Sequence, residues 1–184
     1  MASVGIIGLG SYVPPHEMSN EDWAEIVETS DEWITTKTGM KRRRIADKET
    51  HTSDLAVEAC KRALDDAGLT PDDIDLVILA TSSPDVPLSS TAGIIQEKLG
   101  CSDCGAFDIN AVCAGWVYAL DVGARFAGKE AVMKSLGKGW RQINWRDIEI
   151  TGGGKPEVIL HGKAEDLKKE LGVTQIHISL THEE

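Results

Sequence analysis

Residues 105–134 read GAFDINAVCAGWVYALDVGARFAGKEAVMK, and the change of pattern within them decides the fold. GAFDIN (105–110) is short, apolar and opened by a glycine, which predicts a strand. From Ala114 to about Leu136, Val117, Leu120, Ala124, Ala127 and Ala131 recur in steps of three and four, which predicts one helix with one apolar stripe. Cys113 falls at the junction. A thiol there meets the positive end of the helix dipole and unpaired backbone N–H groups, which favour thiolate, and Ala111, Ala114 and Gly115 let a substrate carbonyl approach. The plain alternative is a small core cysteine at a strand end. At the other end of the helix, Glu130 and Lys134 lie one turn apart. They are either an ordinary surface ion pair or an oxygen ligand for a hard cation beside an ammonium.

Upstream, strand and helix signals alternate, as in a layered α/β sheet. SVGIIGLGSYVP (3–14) predicts a buried first strand. Asn20 is positioned to cap NEDWAEIVE, and Ser30 to cap DEWITTKTG, which Gly39 ends. A helix over 52–67 carries Leu55, Ala56, Ala59, Cys60, Ala63, Leu64 and Ala67 at helical spacing, with Gly68 as its stop. LVILAT (76–81) has the continuous apolar run of a strand covered on both faces, and SSTAGIIQEKLG (89–100) reads as a helix. Downstream, WRDIEI and EVIL around Gly152-Gly153-Gly154 predict a hairpin, followed by the helix GKAEDLKKELG and a last strand QIHISL. The triple glycine lacks the following helix N-terminus of a phosphate cradle, so it is read as a turn.

The chain has 184 residues and a net charge of −11. Residues 1–122 hold 9 Lys/Arg against 21 Asp/Glu and residues 123–184 hold 10 against 9, which suggests two segments of different origin. The acidic total argues against a nucleic-acid binder. No apolar run approaches the roughly 20 residues that span a bilayer, and the first residues carry no signal-peptide pattern, so a cytoplasmic protein without a membrane partner is expected. The basic run 41–44 is either a site for an anionic partner or a solvated turn or strand edge. Cys101-Ser102-Asp103-Cys104 is a C-x-x-C without a second pair, read as two loop thiols in preference to a zinc or redox site.

Residues 1 to about 122 resemble the N-terminal half of β-ketoacyl-acyl carrier protein synthase III, a thiolase-fold enzyme of fatty-acid synthesis. GIIGLGSYVP, ETSDEWITTKTGMKRRRIA, SDLAVEACKRALDDAGLTPDDIDLVILATSSPD, PLSSTAGIIQEKLG and FDINAVCAGWVYAL carry the resemblance, in the family's order. It implies that Cys113 accepts the acyl group of an acyl-CoA. It also implies that Trp33 stacks on the CoA adenine, that Thr29 contacts CoA, and that Lys37 meets a CoA phosphate where the family usually has arginine. Taken bare, Trp33 is more often a packed aromatic than an adenine platform. The family's condensation step further uses a histidine and an asparagine of a second α/β half; those motifs are absent after Val122, and His161, His177 and His182 stand in other contexts.

From about Gly123 the chain resembles a second family, the holo-acyl carrier protein synthases, through ARFAGKEAVMKSLGKGW, WRDIEI, GKPEVILHGKA and IHISLTHEE. These transfer 4′-phosphopantetheine from CoA to a carrier-protein serine with Mg²⁺. The resemblance implies Glu130 as a metal ligand, Lys134 at the CoA phosphate and His182 near the site. The family's Gly-Ile-Gly-x-Asp motif, source of a second carboxylate, is missing. The resulting expectation is a thiolase-like α/β half-fold (1–122) running through a long helix into a small α+β phosphopantetheinyl-transferase-like unit (123–184). Expected partners are CoA or acyl-CoA and acyl carrier protein; acyl transfer by the synthase part is the first reading, phosphopantetheine transfer the second, and a catalytically inert CoA- or carrier-protein-binding hybrid or fragment the third. The first family is dimeric and the second trimeric, and a homo-oligomer of this chain stays an open alternative.

Overall fold

The computed structural model describes residues 5–138, 142–152 and 156–178. The chain forms two compact units, Gly8–Asp108 and Met1–Ile7 with Ile109–Glu184. The expected join near residues 122–124 falls inside a helix of the second unit.

In the first unit β1 (Glu17–Ser19) and β2 (Arg42–Arg44) pair antiparallel, with Glu17 opposite Arg44. Between them lie α1 (Asn20–Ala24) and α2 (Asp31–Thr38). Ser30 caps α2 by accepting from Trp33 N–H at 3.1 Å, and Gly39 at φ 72° ends it, both as the sequence predicts. Asn20 does not cap α1, which also stops well short of Glu28. Ser19 is the cap, and Asn20 is buried as a hub: its amide donates to Asp31 and to the Met40 carbonyl, and its oxygen accepts from Arg43. Burial forces the amide to find these partners. The basic run is thereby a strand edge with partners inside the unit: Arg42 and Arg44 reach Glu17, and Arg43 lies over the Trp23 ring.

Helix α3 (Thr52–Ala67) ends at Gly68 in the left-handed conformation, as expected. It is followed by β3 (Leu76–Ala80), α4 (Thr91–Leu99) and β4 (Gly105–Ile109). Strands β3 and β4 form a two-stranded sheet, and β3 is half-buried where two covered faces were expected. At the end of β4, Asp108 accepts from the Thr91 and Ala92 N–H groups and from the Ser90 hydroxyl, tying the strand to the N-terminus of α4.

The first strand expected over 3–14 is not formed over 5–14, and residues 3–4 lie outside the described residues. Residues 5–14 lie outside any strand with Ile6, Ile7, Leu9 and Val13 exposed. Helix α3 occupies part of the run's hydrogen-bonding capacity: Leu9 N–H donates to Asp66, and the Ser11 carbonyl accepts from Arg62. Gly8 and Gly10 lie directly on the helix, where a Cβ at Gly10 would come within 2.1 Å of the Ala59 carbonyl.

In the second unit α5 (Gly115–Ser135) is a single helix across the whole predicted span. Its buried side differs from the predicted stripe. Val117 and Leu120 are 63% and 42% exposed, whereas Val132 and Met133 enter a core with Leu136, Ile143, Ile148, Ile150 and Ala164. β5 (Ile148–Thr151) and β6 (Glu157–Leu160) form the predicted antiparallel hairpin, and α6 (Gly162–Glu170) follows. Gly152 has φ 87°, as a turn requires, while Gly153 and Gly154 lie outside the described residues. The last strand expected over 175–180 is not present over 175–178; Ile176 and Ile178 instead pack on the core as irregular chain, and residues 179–180 lie outside the described residues. The described strands make three two-stranded sheets, not one layered sheet.

Candidate active site

Cys113 stands in a 3-10 turn, Val112–Ala114, between the end of β4 and the start of α5. The turn is tight: Ala114 N–H bonds back to the Ala111 carbonyl at 3.0 Å, and Val112 adopts φ 47°. A β-branched residue in the left-handed region is strained, and such strain persists only where surrounding structure enforces it. The thiol is exposed. Ala114 caps α5 with no side-chain hydrogen bond, and the first helical turn has no acidic residue. The first turn of α5 therefore carries no carboxylate of its own to neutralise the N–H groups at that end.

The other three thiols differ from Cys113. Cys101 is buried and its thiol is pushed up to about 11, first by desolvation and then by neighbouring Cys104. Burial also raises Cys60. Cys113 is the exposed one of the four.

Trp33 and Lys37 lie one turn apart on α2 and are both exposed, while Ile34 on the same helix is buried. Trp33, at 59% exposure, is not a packed core aromatic. Thr29 is half-buried and directly precedes the Ser30 cap. These three residues form one local group on the first unit.

Glu130 and Lys134 lie on the second half of α5, with Lys134 Nζ 2.6 Å from Glu130 Oε1. Seventeen residues separate Cys113 from Glu130, or about 25 Å along a helix, so the two centres are separate sites. Among the described residues no three His, Cys, Asp or Glu side chains form a group that could hold a metal ion. The described donors therefore do not fit the Mg²⁺ expected at Glu130, a hard cation that demands near-octahedral oxygen ligation. His182 lies outside the described residues. Among the described residues no helix is long and apolar enough to cross a membrane.

Solved structures with thiolase-like α/β architecture overlay on this chain: 3-oxoacyl-[acyl-carrier-protein] synthase III of Aquifex aeolicus has a TM-score of 0.61 at 46% identity, covering 73% of this chain and 41% of that one. The Thermus thermophilus β-ketoacyl-acyl carrier protein synthase III has a TM-score of 0.62 at 41% identity, covering 70% and 39%. In sequence the chain is 47% identical over 149 residues to the β-ketoacyl-[acyl-carrier-protein] synthase III of Caldanaerobacter subterraneus, covering 79% of this chain and 45% of the relative. It is 42% identical over 173 residues to that of Clostridium acetobutylicum, covering 90% and 53%. The chain thus spans about half the length of the relatives it matches. The matched share exceeds the first 122 residues, which are about two thirds of the chain, so the alignments run past the expected join. No family model matches.

Proposed function

We propose that this chain carries out the acyl-transfer step of a β-ketoacyl-acyl carrier protein synthase III, taking an acyl group from acyl-CoA onto Cys113. The observation that carries the reading is an exposed cysteine at the uncapped head of α5, in a chain 42–47% identical to synthases of that name. The Cys113 thiolate attacks the thioester carbonyl, the helix-end N–H groups stabilise the oxyanion, and CoA leaves as its thiolate and takes up the proton. By the family resemblance Trp33 stacks on the CoA adenine, Lys37 meets a CoA phosphate and Thr29 contacts CoA. Condensation with malonyl-acyl carrier protein completes the synthase reaction. Its histidine and asparagine donors are not among the matched motifs, so acyl transfer is the step assigned to this chain's own side chains. Four free cysteines suit a reducing compartment, in keeping with a cytoplasmic location.

Incubation with acetyl-CoA followed by intact-mass measurement tests this reading. A single acetyl adduct that vanishes in Cys113→Ala supports it, and an unmodified wild-type chain refutes it. Lys37→Ala is expected to raise the acetyl-CoA concentration for half-acylation several-fold while leaving the adduct on Cys113.

A second reading assigns residues 123–184 to a holo-acyl carrier protein synthase-like unit. The favouring observation is that the predicted helix, hairpin and helix close around one core, with the Glu130 side chain only 20% exposed beside Lys134. No metal-dependent step is derived from that single carboxylate. Mg²⁺-dependent transfer of phosphopantetheine to apo carrier protein, lost in Glu130→Ala, would move the assignment to this family.

A further inference from the structure

The C-x-x-C segment has no role in the acyl-transfer reading, and its geometry points to chemistry of its own. Cys101 follows the Gly100 cap of α4, Ser102 and Asp103 form a hydrogen-bonded turn, and Cys104 leads into β4. Such a turn brings its end Cα atoms within about 7 Å, and disulfides span roughly 4.4–6.8 Å between Cα atoms. The Cys104 Sγ donates to the Cys101 carbonyl at 3.8 Å. Neighbouring bonds hold the turn in place: Gln96 donates to the Cys104 carbonyl, and Cys101 N–H bonds to the Gln96 carbonyl. Among the described residues no third ligand completes a metal site here.

We propose that Cys101 and Cys104 are a reversible dithiol–disulfide couple, oxidised by a small-molecule disulfide. Cys104, half-buried, reacts first: its thiolate attacks one sulfur of the small disulfide, and the released thiolate takes up the proton. Cys101, 3% exposed, then attacks the Cys104 Sγ of the mixed disulfide and releases the second small thiol. Two protein thiols are oxidised and one small disulfide is reduced to two thiols. Burial of Cys101, with Cys104, Cys60 and Asp72 disfavouring its thiolate, makes the second step the slow one.

The full chain incubated with oxidised glutathione tests this by intact mass and non-reducing peptide mapping. The expected product is two hydrogens lighter than the reduced protein, carries a Cys101–Cys104 cross-link, and returns to its starting mass with dithiothreitol. Cys101→Ser is expected to stop at one glutathione adduct on Cys104. A Cys60→Ser/Cys113→Ser chain is expected to close the bond like the wild type, a control that does not depend on the folding of the first variant. A wild-type chain that keeps its mass, holds glutathione without closing, or joins a different pair of cysteines would overturn the proposal.

Discussion

The two ends of α5 belong to one unbroken helix but differ in their residues and in their surroundings. Toward Gly115 the helix shows Trp116, Val117, Tyr118, Leu120 and Val122 to solvent, large apolar side chains around most of its circumference. Toward Ser135 it narrows to a buried edge of Gly128, Val132 and Met133 against the hairpin and α6, where Arg125 and Lys129 donate to the Ile150 and Trp145 carbonyls while Lys134 stays exposed. A helix apolar all round has the composition of a buried one, whereas an amphipathic helix fits the surface of a core. The unbroken hydrogen-bond ladder across both halves therefore says nothing about shared packing. Each half is set by what it rests on, and the chemistry follows the division: Cys113 lies at the apolar end and Glu130 at the amphipathic end.

This contrast can be broken at either end. The largest effect is expected from Met133→Ala, which empties the centre of the second unit's core and should cost about 2–5 kcal/mol in urea unfolding. A loss under about 1 kcal/mol would mean that the buried half is no better packed than the exposed half. Next comes Trp145→Leu, which removes the stack on Phe126 of α5, now at 4.2 Å between ring centroids. It should cost about 1 kcal/mol beyond the lost area. Glu130→Gln removes an ion pair whose lysine is largely solvated and should change stability by no more than about 0.5 kcal/mol. Leu120→Glu, at the exposed end, should stay within about 0.5 kcal/mol. A cost of several kcal/mol there would show that the first half of α5 is buried in solution. Smallest is a pH effect. The hydrogen bond from Lys169 holds Glu165 of α6 below its ordinary 4.5. A depressed carboxylate stabilises the fold above its unfolded value and loses that contribution as pH falls through the folded one. A slight loss of helical signal is therefore expected below pH 4.5, by circular dichroism, and not between pH 8 and 6.

What was legible in the sequence was local. Ser30 and Gly39 bracket α2 because cap and stop chemistry acts within four residues, and the single helix α5 follows from unbroken helical periodicity. The hairpin β5–β6 obeys a short-range rule as well. The failures are tertiary. The run 3–14 has the composition of a strand, but α3 supplies its partners through Asp66 and Arg62, some fifty residues away. Asn20 has the features of a cap, yet its partners Asp31, Met40 and Arg43 are scattered through the next two dozen residues. At the site, the position of Cys113 before a helix was readable from the strand-to-helix change. Its exposure and the left-handed turn at Val112 were not, because no residue pattern calls for a valine at φ 47°.

The contact of Gly8 and Gly10 with α3 implies a particular response to mutation. At Gly8 an added methyl would meet the Ala63 carbonyl at 2.5 Å, and at Gly10 it would meet the Ala59 carbonyl at 2.1 Å, while Leu9 between them projects outward. Tolerance along this segment should alternate: polar residues accepted at Leu9, and even alanine rejected on both sides of it. A saturation library read by folding yield would show a period of two, the mark of an extended chain, in a stretch that pairs with no strand.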